Sequence, residues 1–442
     1  MNNRPVQAIA IVLTSVLSSL AVPLSRPNRD TSTGGSSQTT SVAATISVRD
    51  FGAKGDGAFD DTAAFNKALR EGCAKQRTVY FPKGTYAVHP LNTVNGCSMT
   101  LYGDGPNLSV LKLIGTGPGQ HTRYPLIALT GPGRVLFIHD FGLDGQQYPA
   151  SGLVVLNMEK ATVRNVSVRN FGRPGHREGH TADYNGMYFH TLNNLSILNC
   201  VSQHNERDGI ETQAVHYLDI SNCDLSDNGR LGGVAEQNVV TNADGPLEVS
   251  FTDNIANNNG SGGFDIETAK GLPAAKGYIH GNTVENGGND QWGYGWGVVL
   301  GNNTYGEISS NTIINFAKTG EPYRSAIVAG GNSGMVTIAH NTVNGSGGDG
   351  IHINMGASKG YPANITDNTV LTSGQDGISA YNAPSSTVRG NIVGNNRKNG
   401  ITMSRAPGSS ITNNQIYGNG GQPVSVTGSN NVVTRPNIYS LR

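Results

Sequence analysis

Residues 377–404 read GISAYNAPSSTVRGNIVGNNRKNGITMS. A glycine opens an apolar-x-apolar strand, a turn follows, an apolar-x-x-Asn-x-apolar phrase comes next, and the opening phrase returns at Gly400. The same strand phrase appears at Gly152, Gly186, Gly209, Gly233, Gly263, Gly297 and Gly350, with a degenerate copy at Ala326. The second phrase supplies Asn254, Asn282, Asn311, Asn341, Asn368, Asn391 and Asn414, at intervals of 28, 29, 30, 27, 23 and 23 residues. Short alternating strands at this period, separated by Gly and Asn turns, predict a parallel β-solenoid. One coil is too small to bury its own apolar face, so stacked coils share a core. Asn at the same turn of successive coils predicts a hydrogen-bonded ladder along the stack. Cys200 and Cys223 fall in that column, so they read as stacked turn residues, first an inert pair, with a disulfide between them as the alternative.

Other repeat folds fit poorly. Leucine-rich repeats need regular Leu and helical backs, and propeller blades need four strands in about 40–45 residues. The expectation is an all-β chain, a right-handed parallel β-helix. The 442 residues include 60 Gly and 47 Asn, and charged residues make up 14%. Lys+Arg 31 balances Asp+Glu 31. A nucleic-acid partner would call for a basic excess. Gly without a period of three excludes collagen.

Residues 1–21 read as a signal peptide, with Arg4, an apolar stretch from Val6, and the small-x-small triplet Ser19-Leu20-Ala21. Residues 22–44, rich in Ser, Thr and Gly, read as a disordered linker. The remainder, 45–442, is expected to be one solenoid domain, with a cap module over 45–90 and regular coils over 150–420. The chain is therefore expected to be secreted or periplasmic, with no membrane span once the leader is removed. Secretion permits disulfides, and Cys73 and Cys97 are placed to pair. The Cys spacing fits no zinc pattern. No cofactor is expected. Asp-rich turns offer oxygens for Ca2+, but no ligand set is convincing.

Residues 48–88 read VRDFGAKGDGAFDDTAAFNKALREGCAKQRTVYFPKGTYAV. Val48–Phe51 is expected to be a strand. Asp60 or Asp61 is expected to cap a helix whose apolar face is Ala64, Phe65, Ala68 and Leu69. Val79–Phe81 and Tyr86–Val88 are expected strands. This stretch resembles the opening module of the pectate-lyase-like β-helix superfamily, shared by polygalacturonases, rhamnogalacturonases, alginate C5-epimerases and phage tailspike depolymerases. The resemblance implies the fold and a carbohydrate context. The leader argues against a tailspike. Polygalacturonase site phrases are absent from the coils, and the only Asp-Asp pair, Asp60-Asp61, lies in the cap.

Residues 184–270 resemble the catalytic module of mannuronan C5-epimerases. Tyr184-Asn185-Gly186-Met187-Tyr188-Phe189-His190 stands where that family has Tyr-Gly-x-Asp-Pro-His. The resemblance implies a catalytic role for His190 and for Arg230. Tyr188 stands where the family has Asp.

In a strand, side chains alternate between core and solvent. The outward row then reads Val154 and Leu156, Tyr188 and His190, Glu211 and Gln213, Ala235 and Gln237, Asp265 and Glu267, Val299 and Gly301, His352 and Asn354, Ser379 and Tyr381, Thr402 and Ser404. Ionisable groups gather between Tyr188 and Glu267 and return at His352. Two mechanisms suit this row. In one, His190 or Tyr188 takes the C5 proton of a uronate while Arg230 or Lys270 neutralises its carboxylate, giving elimination or epimerisation. In the other, Glu211 works with Asp265 or Glu267 as acid and base on a glycosidic bond. The plain alternative for any one of these residues is a solvated surface. Arg207, Gln213, Gln237, Lys270 and His352 are candidate substrate contacts. So are Trp292 and Trp296, in the aromatic loop GGNDQWGYGWG. A second long segment, 171–184, holds His176, Arg177 and His180. The expected function is a polysaccharide-acting enzyme, first a polyuronide lyase or C5-epimerase, with a glycosidase or transglycosidase, or a non-catalytic carbohydrate-binding solenoid, as rivals. The partner is a poly- or oligosaccharide, and the chain is expected to be a monomer or homotrimer.

Overall fold

The computed structural model describes residues 45–115, 125–173, 184–237, 246–288, 295–317, 324–356, 360–428, 430, 434 and 437–440. The leader and linker expected over 1–44 lie outside the described residues, as do His176, Arg177, His180 and Trp292. Among the described residues no helix is long and apolar enough to cross a membrane.

The strands pair in parallel, each with its counterpart one coil away. One coil runs Ile327–Gly330, Val336–Ala339 and Thr342–Ser346, and the next opens at Ile351–Asn354. Ile327 sits on Ile351, Ile338 on Ile365, and Val343 on Val370. These six side chains are fully buried. Each is worth about 1.5–3 kcal/mol of transfer free energy, and none could bury its surface without the coils on either side. The pairing already runs through the cap module, where Ile46 sits on Val79 and Val79 on Leu101.

Asparagines fix the stacking. Asn341 Oδ1 accepts from Asn311 N at 2.9 Å and from Asn311 Nδ2 at 3.0 Å. Its own Nδ2 donates to Ile308 O and to Asn368 Oδ1, both at 2.9 Å. The pattern repeats from Asn254 to Asn414 and continues to Asn437. The residue before each rung is left-handed: Asp253, Gly281, Ser310, His340, Asp367, Gly390 and Asn413. Gly, Asn and Asp tolerate that conformation at low cost. Asn199 and Asn222 adopt it too, before Cys200 and Cys223. Cys223 Sγ accepts from Cys200 N at 3.3 Å, and Cys223 N donates to Asn254 Oδ1 at 2.9 Å. The two thiols are therefore buried rungs of the same ladder, unoxidised.

The cap departs from expectation in one place. Val48–Phe51 is a 3-10 helix rather than a strand. Ser47 and Asp50 form a reciprocal capping box that closes this turn. The helix Thr62–Lys75 buries Ala64, Phe65, Ala68 and Leu69 as expected. Phe65 packs at 5.0 Å from Phe81 and 5.1 Å from Tyr86, measured between ring centroids. Of the two candidate caps, Asp60 accepts from Thr62 N at 3.0 Å. Asp61 instead holds the preceding turn, accepting from Lys54 N and Gly55 N. Cys73 and Cys97 form a disulfide.

Removing one rung strands two buried donors on Asn311 and takes a donor from the acceptors Ile308 O and Asn368 Oδ1. Asn341→Ala is expected to cost about 2–4 kcal/mol, at roughly 1–3 kcal/mol per orphaned group. Chemical denaturation should show it as a lower midpoint. Cys223→Asn should raise the midpoint, because an amide at that position can accept from Cys200 N and donate to Ile197 O, which lies 3.7 Å from the present sulfur.

Candidate active site

The strands Met187–Leu198, Ile210–Ser221, Leu231–Gln237 and Gly262–Thr268 lie side by side. Their outward positions make two columns. One reads Tyr188, Glu211, Val234, Asp265; the other reads His190, Gln213, Glu236, Glu267. The third pair corrects the expected register. Ala235 is buried in the core, Gln237 is buried opposite Thr268, and the outward places belong to Val234 and Glu236. The tandem Gly232-Gly233 left two frames open in the sequence. The core decides between them. Gly233 takes the inward place because Phe251 and Phe264 fill the space: a Cβ there would come within 2.9 Å of one ring and 3.2 Å of the other.

The turns before these strands add charge. Asp208, fully buried, accepts from Arg230 Nε at 2.8 and 3.0 Å and from Leu231 N at 2.9 Å. Arg207 Nη1 lies 3.1 Å from Glu211 Oε2. Glu211 Oε2 also accepts from Asn185 Nδ2 at 2.6 Å, and Oε1 accepts from Gln213 Nε2 at 2.8 Å. Tyr188 OH donates to Gln213 Oε1 at 3.3 Å. The His190 ring centroid is 6.2 Å from that of Tyr188. Asp208, Glu236 and Asn185 were missed as site residues. Asp208 sits in the charged turn before Gly209, which reads equally well as a cleft wall or as a solvated turn, and Asn185 lies off the outward row.

Burial sets the protonation states. It raises the Asp265 carboxyl well above its ordinary value, and the charges of Glu267 and Glu236 push it further. One oxygen, Asp265 Oδ1, is buried with no hydrogen-bond partner among the described residues. Burial also raises Glu267, helped by Glu236. It raises Glu211 too, aided by Asp208 and opposed by Arg207 and Arg230. Burial lowers His190, which favours its neutral form. For Arg230 burial works against the charge, but the Asp208 carboxylate outweighs it and the guanidinium stays protonated. Its Nη2 has no partner among the described residues.

The remaining candidates are dispersed. Lys270 is exposed beyond the end of the Asp265 strand, in a cleft of 640 Å3 that runs from Glu267 to Tyr361. Trp296 is half-buried in the turn one coil past Asp265. His352 lies three coils past Asp265, about 14 Å along the stack. No group of three or more His, Cys, Asp or Glu among the described residues is arranged to hold a metal.

A family model described as rhamnogalacturonase A/epimerase, pectate lyase-like, matches residues 45–304, more than half of the chain. The chain belongs to this family. A model of the right-handed beta helix region matches residues 353–440, which supplies the expected handedness. The pre-neck appendage protein of Bacillus phage phi29 is 29% identical over 255 residues, 52% of this chain and 28% of that protein. A mannuronan C5-epimerase of Azotobacter vinelandii is 36% identical over 118 residues, 25% of this chain and 8% of that protein. Among solved structures, the catalytic unit of a GH87 α-1,3-glucanase from Streptomyces thermodiastaticus superposes with a TM-score of 0.56 at 16% identity, over 91% of this chain and 70% of that one. That likeness speaks for the fold alone. The chain spans under a third of the length of the phage proteins it matches. These relatives include the kind of viral appendage that the expected leader argued against.

In this rhamnogalacturonase/epimerase-like chain the raised carboxyls oppose folding once ionised. A group whose folded pKa lies above its unfolded value stabilises fully below the unfolded value and stops doing so as pH rises through the folded one. Asp265, Glu267 and Glu211 all have that sign. Melting temperature is expected to fall as pH climbs above about 4, where unfolded carboxylates ionise. Asp265→Asn should flatten that slope and raise the melting temperature at neutral pH, as read by calorimetry across a pH series.

Proposed function

We propose that the chain is a carbohydrate-active enzyme that cleaves or transfers glycosidic bonds of a neutral glycan, with Asp265 as the proton donor. The observation that carries this reading is the Asp265 carboxyl, buried with one oxygen unpartnered among the described residues, raised well above its ordinary value, and flanked by Glu267 and Glu236. Glu267 leaves the same face of the same strand two residues on, about 6.6 Å away at the backbone. Asp265 delivers its proton to the glycosidic oxygen as the bond to the anomeric carbon breaks. Glu267 takes a proton from the water, or from the acceptor hydroxyl, that adds to that carbon. General acid–base catalysis of this kind is worth about 10²–10⁴ in rate.

Charge favours a neutral substrate over a polyuronide. Asp208, Glu211, Glu236, Asp265 and Glu267 crowd one face against two guanidiniums, Arg207 and Arg230. Both guanidiniums already engage carboxylates. A chain of uronates would find both of these cations already engaged, whether or not the raised carboxyls are ionised. Elimination or epimerisation keeps one specific support: neutral His190 and the unpartnered Arg230 Nη2 are the base and the cation that it requires.

The two readings part in one experiment. Purified protein from residue 45 onward is incubated with 1,3-linked glucans, fructans, pectate and alginate, and reducing ends and ultraviolet absorbance of unsaturated uronates are followed together. Reducing ends without absorbance are expected, from a neutral glycan. Asp265→Asn should lower that rate by about 10²–10⁴. His190→Ala should cost less than about tenfold, since it removes no acid or base from the proposed step. Absorbance that rises on alginate or pectate and disappears with His190→Ala would overturn the hydrolytic reading in favour of elimination.

A further inference from the structure

Past Glu267 the outward row turns apolar for two coils, at Val299 and Val328, and becomes polar again at His352. His352 Nδ1 lies 2.9 Å from Asp349 Oδ2 and 3.0 Å from Ser379 Oγ. Ser379 Oγ donates to the same Asp349 oxygen at 2.5 Å. With Nδ1 donating to the Asp349 carboxylate, the neutral ring leaves Nε2 as a bare acceptor. Asp349 is itself held, its Oδ1 accepting from Asp376 N at 3.0 Å. Ser379 is fully buried. The imidazole is thus fixed from below by the buried Ser379 and the partly covered Asp349 carboxylate, while 31% of its own side chain faces solvent. No hydrogen bond is made to Nε2 among the described residues. The Tyr381 ring, one coil on, stands 5.7 Å away between centroids.

This arrangement differs from both ordinary fates of a histidine. A core histidine has both ring nitrogens satisfied, because a bare buried acceptor is costly. A solvated histidine is not oriented by a carboxylate that is itself held by a buried serine. We propose that Asp349, His352, Ser379 and Tyr381 form a second ligand site on this face, where a hydroxyl of a neutral saccharide donates to His352 Nε2. The ligand class rests on the glycan reading of the first site. His352 is three coil steps from Asp265, about 14 Å. A long oligosaccharide spans both sites across the apolar strip at Val299 and Val328, and a disaccharide does not.

Binding is measured by calorimetry on the full chain carrying Asp265→Asn, so that nothing is cleaved. The probes are linear 1,3-linked gluco-oligosaccharides, a disaccharide and a heptasaccharide. Adding His352→Ala is expected to weaken heptasaccharide binding by about 3–10-fold, the worth of one hydrogen bond. The disaccharide should not register the change. His352→Gln, whose amide oxygen reaches the place of Nε2, should recover part of the loss. Heptasaccharide binding that is indifferent to His352→Ala and Tyr381→Phe overturns the second site and leaves the first reading standing, provided that the wild type still cleaves. A loss that His352→Gln does not recover, accompanied by a lower melting temperature, assigns His352 a structural role and overturns the site equally. A protein that neither binds nor cleaves either probe overturns both readings.

Discussion

Register between coils is the constraint on which the rest depends. Every rung of the Asn ladder ties one turn to the next through two hydrogen bonds, and its amide reaches back to a carbonyl of the previous coil. A parallel stack can otherwise slip, and a slip of one residue turns every core side chain outward. The ladder forbids this at the corner of each coil. With register fixed, the outward columns become straight, and any polar residue placed in them meets its neighbours at a set distance. The site follows from the stacking rather than from a dedicated scaffold.

That order of dependence explains what was legible. The repeat, the ladder and the capping helix rest on local patterns with strong physical causes: period, a left-handed residue before each Asn, an apolar helical stripe. The rung role of Cys200 and Cys223 came from the same periodicity, whereas the pairing of Cys73 with Cys97 came from the expected secretion. Two readings failed where local pattern underdetermines structure. Val48–Phe51 was expected as a strand, but Ser47 and Asp50 close it into a turn. Gly232-Gly233 permits two frames, and only the packing of Phe251 against Phe264, 5.1 Å apart, chooses. The cost of that single ambiguity was Glu236, a member of the carboxylate cluster. Asp208 was set aside for a different reason: its burial comes from coils distant in sequence, and a charged turn looks solvated until its neighbours are stacked on it.

The concentration of acids has an energetic meaning. Glu211, Glu236 and Asp265 are each less than a tenth exposed, next to one another. Burying carboxyls without matching cations is unfavourable, and the protein resolves part of it by raising pKa values rather than by pairing. Asp208 and Arg230 form the compensated half of the cluster, while Asp265 and Glu267 form the uncompensated half. A structural role would be served as well by Asn or Val, which occupy equivalent outward places elsewhere in the row. The uncompensated half is thus the part whose composition stability does not account for.

Stacking also quantises the distances open to such a pair. Neighbours in one column are about 4.8 Å apart, and outward neighbours along one strand are about 6.6 Å apart. The diagonal between them is therefore about 8 Å. Retaining glycosidases hold their carboxyls about 5–5.5 Å apart, and inverting ones about 6.5–9.5 Å. Glu236 and Glu267, stacked in one column, have the short spacing at the backbone. Asp265, the carboxyl that burial raises well above its ordinary value, sits along the strand from Glu267 and diagonal to Glu236. Both of its separations fall in the longer range, with room for a water between acid and base. If Asp265 is the acid, the lattice of the solenoid itself favours inversion, and a retaining outcome would require the proton to come instead from the Glu236–Glu267 column.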